Sequence, residues 1–187
     1  MSDLYIGLLH YPVYNKNMKV IATAVTNFDI HDIARTARTY NVKKYFLVHP
    51  LEEQKKIIDK IINYWRVGFG KTYNPDRNEA LSIVNYAESI EAMVAAITKE
   101  TGVRPLTVTT DARHYPNTVN YQFVRELLEI DGPPLLLLFG TGFGIEQSVM
   151  NSFNYILEPV EGNSSYNHLC VRSAVAIILD RLAGSRG

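Results

Sequence analysis

The chain has 187 residues, 47% of them hydrophobic, and its 19 basic and 19 acidic side chains cancel. That length suits one domain with a sizeable core, and the cancelled charge excludes a global field for nucleic acid or a membrane surface, so any such contact needs a local patch. Cys170 stands alone, which excludes an internal disulfide or a cysteine-based metal site, and neither a membrane span nor a secretory leader is legible, so a cytoplasmic chain is expected.

Tyr5–Leu9 reads as a strand, Tyr11–Asn17 as a loop, and Lys19–Thr26 as a second, buried strand built on Val20, Ile21, Ala22, Ala24 and Val25. Asp29 is the expected N-cap of a helix through Tyr40, with Ile30, Ile33, Ala34 and Ala37 on one face and Arg35 and Arg38 off it. Tyr45–His49 is a strand closed by Pro50. Leu51–Val67 is a helix with Ile57, Ile58, Ile61 and Ile62 inward. Lys71–Ala80 is a polar surface excursion. Leu81–Tyr86 reads as a strand, Ser89–Thr101 as a helix ended by Gly102, and Pro105–Thr109 as a strand running into Thr110–Arg113. Val119–Ile130 is a helix. Leu135–Phe139, five consecutive apolar residues, suits a strand buried on both faces. Gly140-Thr141-Gly142-Phe143-Gly144 follows, then a short strand Tyr155–Leu157, the loop Glu158–Tyr166, and a helix from Leu169 to Leu182 that holds Cys170 as a core thiol. Strands alternating with helices argue for a single α/β domain, a mostly parallel sheet with helices on both faces.

Ligands of open parallel sheets sit outside the carboxyl ends of the strands. Four such ends carry polar or glycine-rich residues: Thr26-Asn27, Thr109–Arg113, Gly140–Gly144 and Glu158–Tyr166. The Gly140 turn is spaced G-x-G-x-G and lies late in the chain. It is therefore neither the dinucleotide pattern nor a P-loop. Alternating glycines let a ligand approach backbone closely. The five histidines lack metal-ligand spacing, so no metal is expected.

Three blocks resemble the SPOUT methyltransferases. Thr26–Thr39 (TNFDIHDIARTART) is similar to the first motif of the ribose 2′-O branch, Leu135–Glu146 (LLLLFGTGFGIE) to the second, and Ile156–Asp180 to the third. The resemblance implies a C-terminal deep trefoil knot and S-adenosylmethionine bound within it. By position, Thr109, Gly140, Thr141, Gly142, Gly144, Ile156, Leu157, Pro159, Asn167, His168 and Leu169 would line that pocket.

The same resemblance implies that Arg35 activates the ribose hydroxyl; a phosphate clamp is the other use of its guanidinium. Asn27 and Asp29 both fall near the motif's asparagine. Glu146 would orient substrate or cap the following helix. Asp111 reads as a turn residue or a base, and Arg172 as a contact to substrate or a second subunit. The implied activity is methylation of tRNA or rRNA by a homodimer, with Arg35 near the partner's cofactor and ribose favoured over base. Asn167-His168 resembles the branch that methylates guanine in tRNA, which keeps base methylation open. Two other readings stand beside these: a different nucleotide-using α/β enzyme, and a non-catalytic RNA-binding protein that keeps the fold. Modest basic groups, among them Lys43 and Lys44 and the set Arg66, Lys71 and Arg77, are the candidate RNA contacts.

Overall fold

The computed structural model describes residues 1–185. In chain order the elements are β1 (Leu4–Leu9), β2 (Val13–Tyr14), β3 (Val20–Ile21), α1 (Asn27–Thr39), β4 (Lys44–Val48) and α2 (Glu52–Arg66). Next come α3 (Gly70–Tyr73), α4 (Pro75–Ser82), β5 (Val84–Ala87), α5 (Ile90–Thr101), β6 (Leu106–Thr110) and β7 (Thr118–Val119). The chain continues through α6 (Tyr121–Glu129), β8 (Leu135–Gly140), α7 (Gln147–Met150), β9 (Tyr155–Leu157) and α8 (Val171–Ala183).

Seven strands form one sheet in the order β5-β4-β1-β8-β6-β9-β7, and every pairing in it is parallel. Alternation along the central strands splits the core in two. Ile6, Leu8, Leu137 and Phe139 face a layer holding Ile30 and Ile33 of α1, Ile58 of α2, Val124 of α6 and Leu179 of α8. Tyr5, Leu9, Leu136 and Leu138 face Met93 and Ile97 of α5 and Met150 of α7. Both faces of β1 and β8 are thus dry, which explains their unbroken apolar runs.

The α1 stripe packs as its spacing requires, since Ile30, Ile33, Ala34 and Ala37 are all buried. Its cap is Thr26 rather than Asp29: the Thr26 side chain accepts from Asp29 N while Asp29 accepts from Thr26 N, a capping box. Two other expectations are corrected. Lys19–Thr26 does not join the sheet. Only Val20–Ile21 is extended, as one arm of the hairpin β2–β3, and Val20 is exposed. The stretch 71–80 is helical, because Asn74 accepts from Arg77 N as N-cap and Pro75 fits the first helical position. No helix here is long and apolar enough to cross a membrane among the described residues.

Candidate active site

Strands β1, β6 and β8 end on one side of a cavity of about 750 Å³. That size falls in the range of small-molecule and cofactor pockets. One wall is the turn after β8, Gly140–Gly144, joined by Thr110–Arg113 after β6 and by Asn167–Val171 at the start of α8. The β1–α1 crossover adds His10, Met18, Thr23, Thr26 and Asp29 to the lining.

Two glycines of the turn are demanded by the backbone. Gly142 has φ +60°, and a Cβ on it would lie 2.7 Å from Tyr14 O. Gly144 has φ +104°, and a Cβ there would lie 2.9 Å from Arg113 Nη2 and 3.1 Å from Asp111 Oδ2. Side chains at either place would be strained and would displace the neighbouring wall. The hairpin is bonded to this turn: Phe143 N donates to Tyr14 O and Tyr14 N to Gly144 O, both at 2.9 Å. The crossover and the glycine turn therefore form one continuous rim.

Asp111 and Arg113 make a bidentate pair, Nε to Oδ1 and Nη2 to Oδ2, each 3.0 Å. The carboxylate is buried and the guanidinium half-exposed. This hydrogen bonding with Asp111 pushes the Arg113 pKa up, so its charge is fixed. Asn167 Nδ2 donates to Ala112 O, which ties the approach to α8 onto the same loop.

A network that the linear sequence does not reveal underlies the rim. Thr141 Oγ1 donates to Leu9 O at 3.0 Å, so Thr23 Oγ1, 2.6 Å from Thr141 Oγ1, donates to it and is left to accept. His10 Nδ1, 3.0 Å away, is then the donor to Thr23. This assignment puts the imidazole lone pair on Nε2, which is buried without a partner in the cavity wall. Burial lowers the His10 pKa to about 4, against the opposing pull of Asp29, so the ring is neutral near pH 7. His49, at the end of neighbouring β4, accepts from Leu51 N through Nδ1 and donates from Nε2 to Thr23 O. The available signal was a histidine directly after each of two adjacent apolar strands.

The residues expected from sequence separate into groups. Gly140, Thr141, Gly142, Gly144, Asn167, His168 and Leu169 all line the cavity. Thr109 is buried in β6 and its neighbour Thr110 lines the cavity instead. Ile156, Leu157 and Pro159 lie buried behind the wall, to which Val160 contributes. Asn27 is exposed on the first turn of α1, while Thr26 and Asp29 line the cavity. Arg35 is exposed, away from its own chain's cavity, beside a small polar pocket with Asn74, Asp76 and Arg77. Glu146 caps α7: its carboxylate accepts from Ser148 N, Val149 N, Ser148 Oγ and Tyr14 Oη. The Ser148 side-chain bond leads the causes that lower its pKa to about 2. Cys170 is exposed at the N-cap of α8, with Sγ 3.2 Å from Ser173 Oγ, and is not a core thiol. Arg172 reaches Asp32 at 3.3 Å and Asp29 at 3.9 Å, joining α8 to α1.

A family model described as SAM-dependent RNA methyltransferase matches residues 3–184. The chain belongs to that family. Among relatives of the methyltransferase, an uncharacterized protein of Aquifex aeolicus is 48% identical over 181 residues, 97% of this chain and 88% of that one. A tRNA (guanine-N(1)-)-methyltransferase of Oleidesulfovibrio alaskensis is 40% identical over 182 residues. The methyltransferase aligns there over 97% of its own length but spans only 42% of that relative. Among solved structures, a TrmH/SpoU tRNA modifying enzyme of A. aeolicus superposes with TM-score 0.58 at 13% identity, over 98% of this chain and 70% of that one. An AdoMet-bound rRNA methyltransferase from Sinorhizobium meliloti gives TM-score 0.54 at 15% identity, over 96% and 55%. These neighbours share the fold: a SPOUT-type, mostly parallel α/β sheet with helices on both faces. The methyltransferase uses S-adenosylmethionine and acts on RNA, as its family does. Among the described residues no cluster of three or more His, Cys, Asp or Glu is placed to hold a metal.

Proposed function

We propose that the cavity between the glycine turn and the β1–α1 crossover holds S-adenosylmethionine, and that the chain methylates a ribose 2′-hydroxyl of tRNA or rRNA as a homodimer. The observation that carries the cofactor reading is Gly144. A Cβ there would meet Arg113 Nη2 at 2.9 Å and Asp111 Oδ2 at 3.1 Å, so the absence of a side chain lets the Asp111–Arg113 pair close against the turn and shape this wall. Apolar lining from Phe139, Val160 and Leu169 suits an adenine, and the buried Asp29 carboxylate suits an ammonium group. S-adenosylmethionine supplies the methyl group. The chain's own part is to orient and to exclude water. Neutral His10 offers its Nε2 lone pair to an N–H or O–H donor at the wall. Asp111 holds Arg113 at the rim.

Arg35 lies outside its own cavity, which supports the reading that a second copy brings Arg35 to its partner's cavity. The trefoil knot belongs to the same proposal. It is supported by β8 lying inside the sheet, between β1 and β6, while the following chain returns to the far side of β6. So does the reading of the whole chain as one domain.

Methylation of a guanine base is the second reading. It is favoured by the 40%-identical tRNA (guanine-N(1)-)-methyltransferase of Oleidesulfovibrio alaskensis, of whose length this chain spans 42%. Calorimetry with S-adenosylmethionine tests the cofactor reading; no heat at high micromolar cofactor would sink it. Nucleoside mass spectrometry of RNA methylated in vitro separates the substrates, since a 2′-O-methylnucleoside supports the first reading and 1-methylguanosine the second.

A further inference from the structure

Away from the cavity, α1, α2, α3 and α4 pack together and leave one face with a peculiar mixture. Arg35 on α1 and Arg77 on α4 line a pocket of about 130 Å³ with Asn74 and Asp76. Neither guanidinium makes a hydrogen bond or ion pair among the described residues, and Arg77 Nε is buried without a partner. Arg38, three residues from Arg35, by contrast donates Nε and Nη2 to the one oxygen Oε1 of Glu79, at 3.0 and 2.6 Å. Arg77 is oriented by Trp65, whose ring lies 4.9 Å below its guanidinium. His31 packs edge-on against the same ring and leaves Nδ1 unpartnered. Burial, then the Arg77 charge, lowers the His31 pKa; Asp32 opposes this and Arg35 adds to it. Two free guanidiniums facing one acid, Asp76, make a pocket that an anion would complete.

Directly before Asn74 the chain displays two aromatic rings. Phe69 is 67% exposed and Tyr73 71%, and they stack with centroids 5.7 Å apart at 29°. Lys71 and Arg66 stand exposed beside them without ion pairs among the described residues. Stacked, solvent-facing rings with adjacent cations are what single-stranded nucleic acid binds, bases on the rings and phosphates on the cations.

We infer that this face is an RNA contact distinct from the cavity: a backbone phosphate sits on Arg77, next to the Arg35 that serves the partner, while unpaired bases stack on Phe69 and Tyr73. The inference rests on the reading of the chain as an enzyme acting on RNA. It favours RNA because Arg77 keeps an unpartnered Nε beside two exposed, stacked rings, a pairing of cation and aromatic faces that suits phosphate and base together. It also supplies the local positive patch that a chain of zero net charge needs.

The test is fluorescence anisotropy of the full chain with labelled bulk tRNA and with a labelled oligouridylate, at several salt concentrations. Arg77→Ala and the double variant Phe69→Ala/Tyr73→Ala should each weaken oligouridylate binding ~5-fold or more. Arg77→Ala should also reduce the salt slope by ~1, and Arg77→Lys should restore it. Lys99→Ala, on α5 across the sheet, should change nothing. Calorimetry with S-adenosylmethionine and the sedimentation coefficient should be unaltered in every variant, which shows them folded. Unchanged RNA affinity in both site variants overturns this contact while leaving the RNA reading intact. A changed oligomeric state with unchanged RNA affinity overturns it in favour of self-association. Failure of the wild-type chain to bind either RNA, with cofactor binding intact, overturns this contact together with the RNA reading.

Discussion

Thr23 Oγ1 lies 2.6 Å from Thr141 Oγ1, and this contact ties the β1–α1 crossover to the glycine turn across 118 residues of sequence. Each hydroxyl is spoken for: Thr141 donates to Leu9 O, Thr23 donates to Thr141, and His10 donates to Thr23. Thr23→Ala leaves the His10 Nδ1–H without an acceptor in a buried wall. Chemical denaturation should show a loss of ~1–3 kcal/mol, the range for an orphaned buried polar group. Thr23→Ser should recover most of it. A fully stable alanine variant would show that the chain of donors does not hold the rim.

Acid should reveal His10. Its folded pKa, about 4, lies below the ordinary 6.5, chiefly because burial disfavours the charged ring. A depressed histidine contributes stability that is fully present above pH 6.5 and is lost as pH falls from 6.5 toward 4, where the unfolded chain binds the extra proton. At 1.36 kcal/mol per unit, the loss attributable to His10 approaches about 3 kcal/mol at pH 4. Denaturation at stepped pH should therefore be shallower in His10→Gln than in wild type across that window. His31 and His49, lowered by burial too, remain in both proteins and cancel in the comparison. Glu146 acts lower on the scale: with its pKa lowered to about 2, its contribution is lost below pH 4.5. Equal slopes in the two proteins would remove His10 as the source.

The glycine turn offers an internal control. Gly144→Ala forces a side chain into φ +104° and against the Asp111–Arg113 pair. It should destabilise by ~1–3 kcal/mol, the cost of such backbone strain. Cofactor affinity, read by calorimetry, should fall at least ~10-fold, since 1.4 kcal/mol already corresponds to that factor. Gly162→Ala meets open space. It should be neutral or stabilise by up to ~1 kcal/mol through the unfolded chain. Equal effects at the two positions would show that Gly144 has no special role.

The parts legible in the sequence were those encoded locally. The α1 stripe, the buried β8 run and the glycine turn needed only periodicity and residue type. Where packing decided, local pattern misled. Val20–Val25 looks like a core strand, yet the central sheet is already filled by β1, β4 and β8, and Val20 faces solvent. The segment 71–80 lacks an apolar period because only Ala80 of it is buried, although Asn74-Pro75 was a readable helix start. Carrying a family's residues over by position also loses the side-chain alternation of a strand. Thr109 is buried in the core and Thr110 lines the cavity. The His10–Thr23–Thr141 network was invisible because its members meet only after folding.

Glu146 distinguishes a helix cap from a residue that acts on substrate. Every acceptor bond it makes serves the first turn of α7 or Tyr14. Glu146→Gln should lower the melting temperature yet keep the methylation rate within ~3-fold, whereas loss of a general base costs 10²–10⁴-fold. A rate loss of that larger size, with a normal melting temperature, would assign the carboxylate to the chemistry.

Arg35 tests the dimer as well as the chemistry. If each Arg35 serves the partner's cavity, Arg35→Ala should lower the methylation rate by ~10²–10³-fold, as for a lost electrostatic stabiliser, and leave S-adenosylmethionine affinity unchanged. Gly144→Ala should fail in the opposite way, at the cofactor step. Mixing the two variants in equal amounts, at a cofactor concentration too low to fill the Gly144→Ala cavity, and letting subunits exchange gives heterodimers in half the population. Each heterodimer holds one intact site, made from the cavity of the Arg35→Ala chain and the arginine of the other, so activity should return to about a quarter of wild type. The alternative arrangement, with Arg35 folded back onto its own cavity, gives no such recovery, because an intact cavity and an intact arginine would then never share a chain. A mixture as inactive as its components would thus overturn the cross-subunit assignment, and an active Arg35→Ala homodimer would overturn the catalytic one.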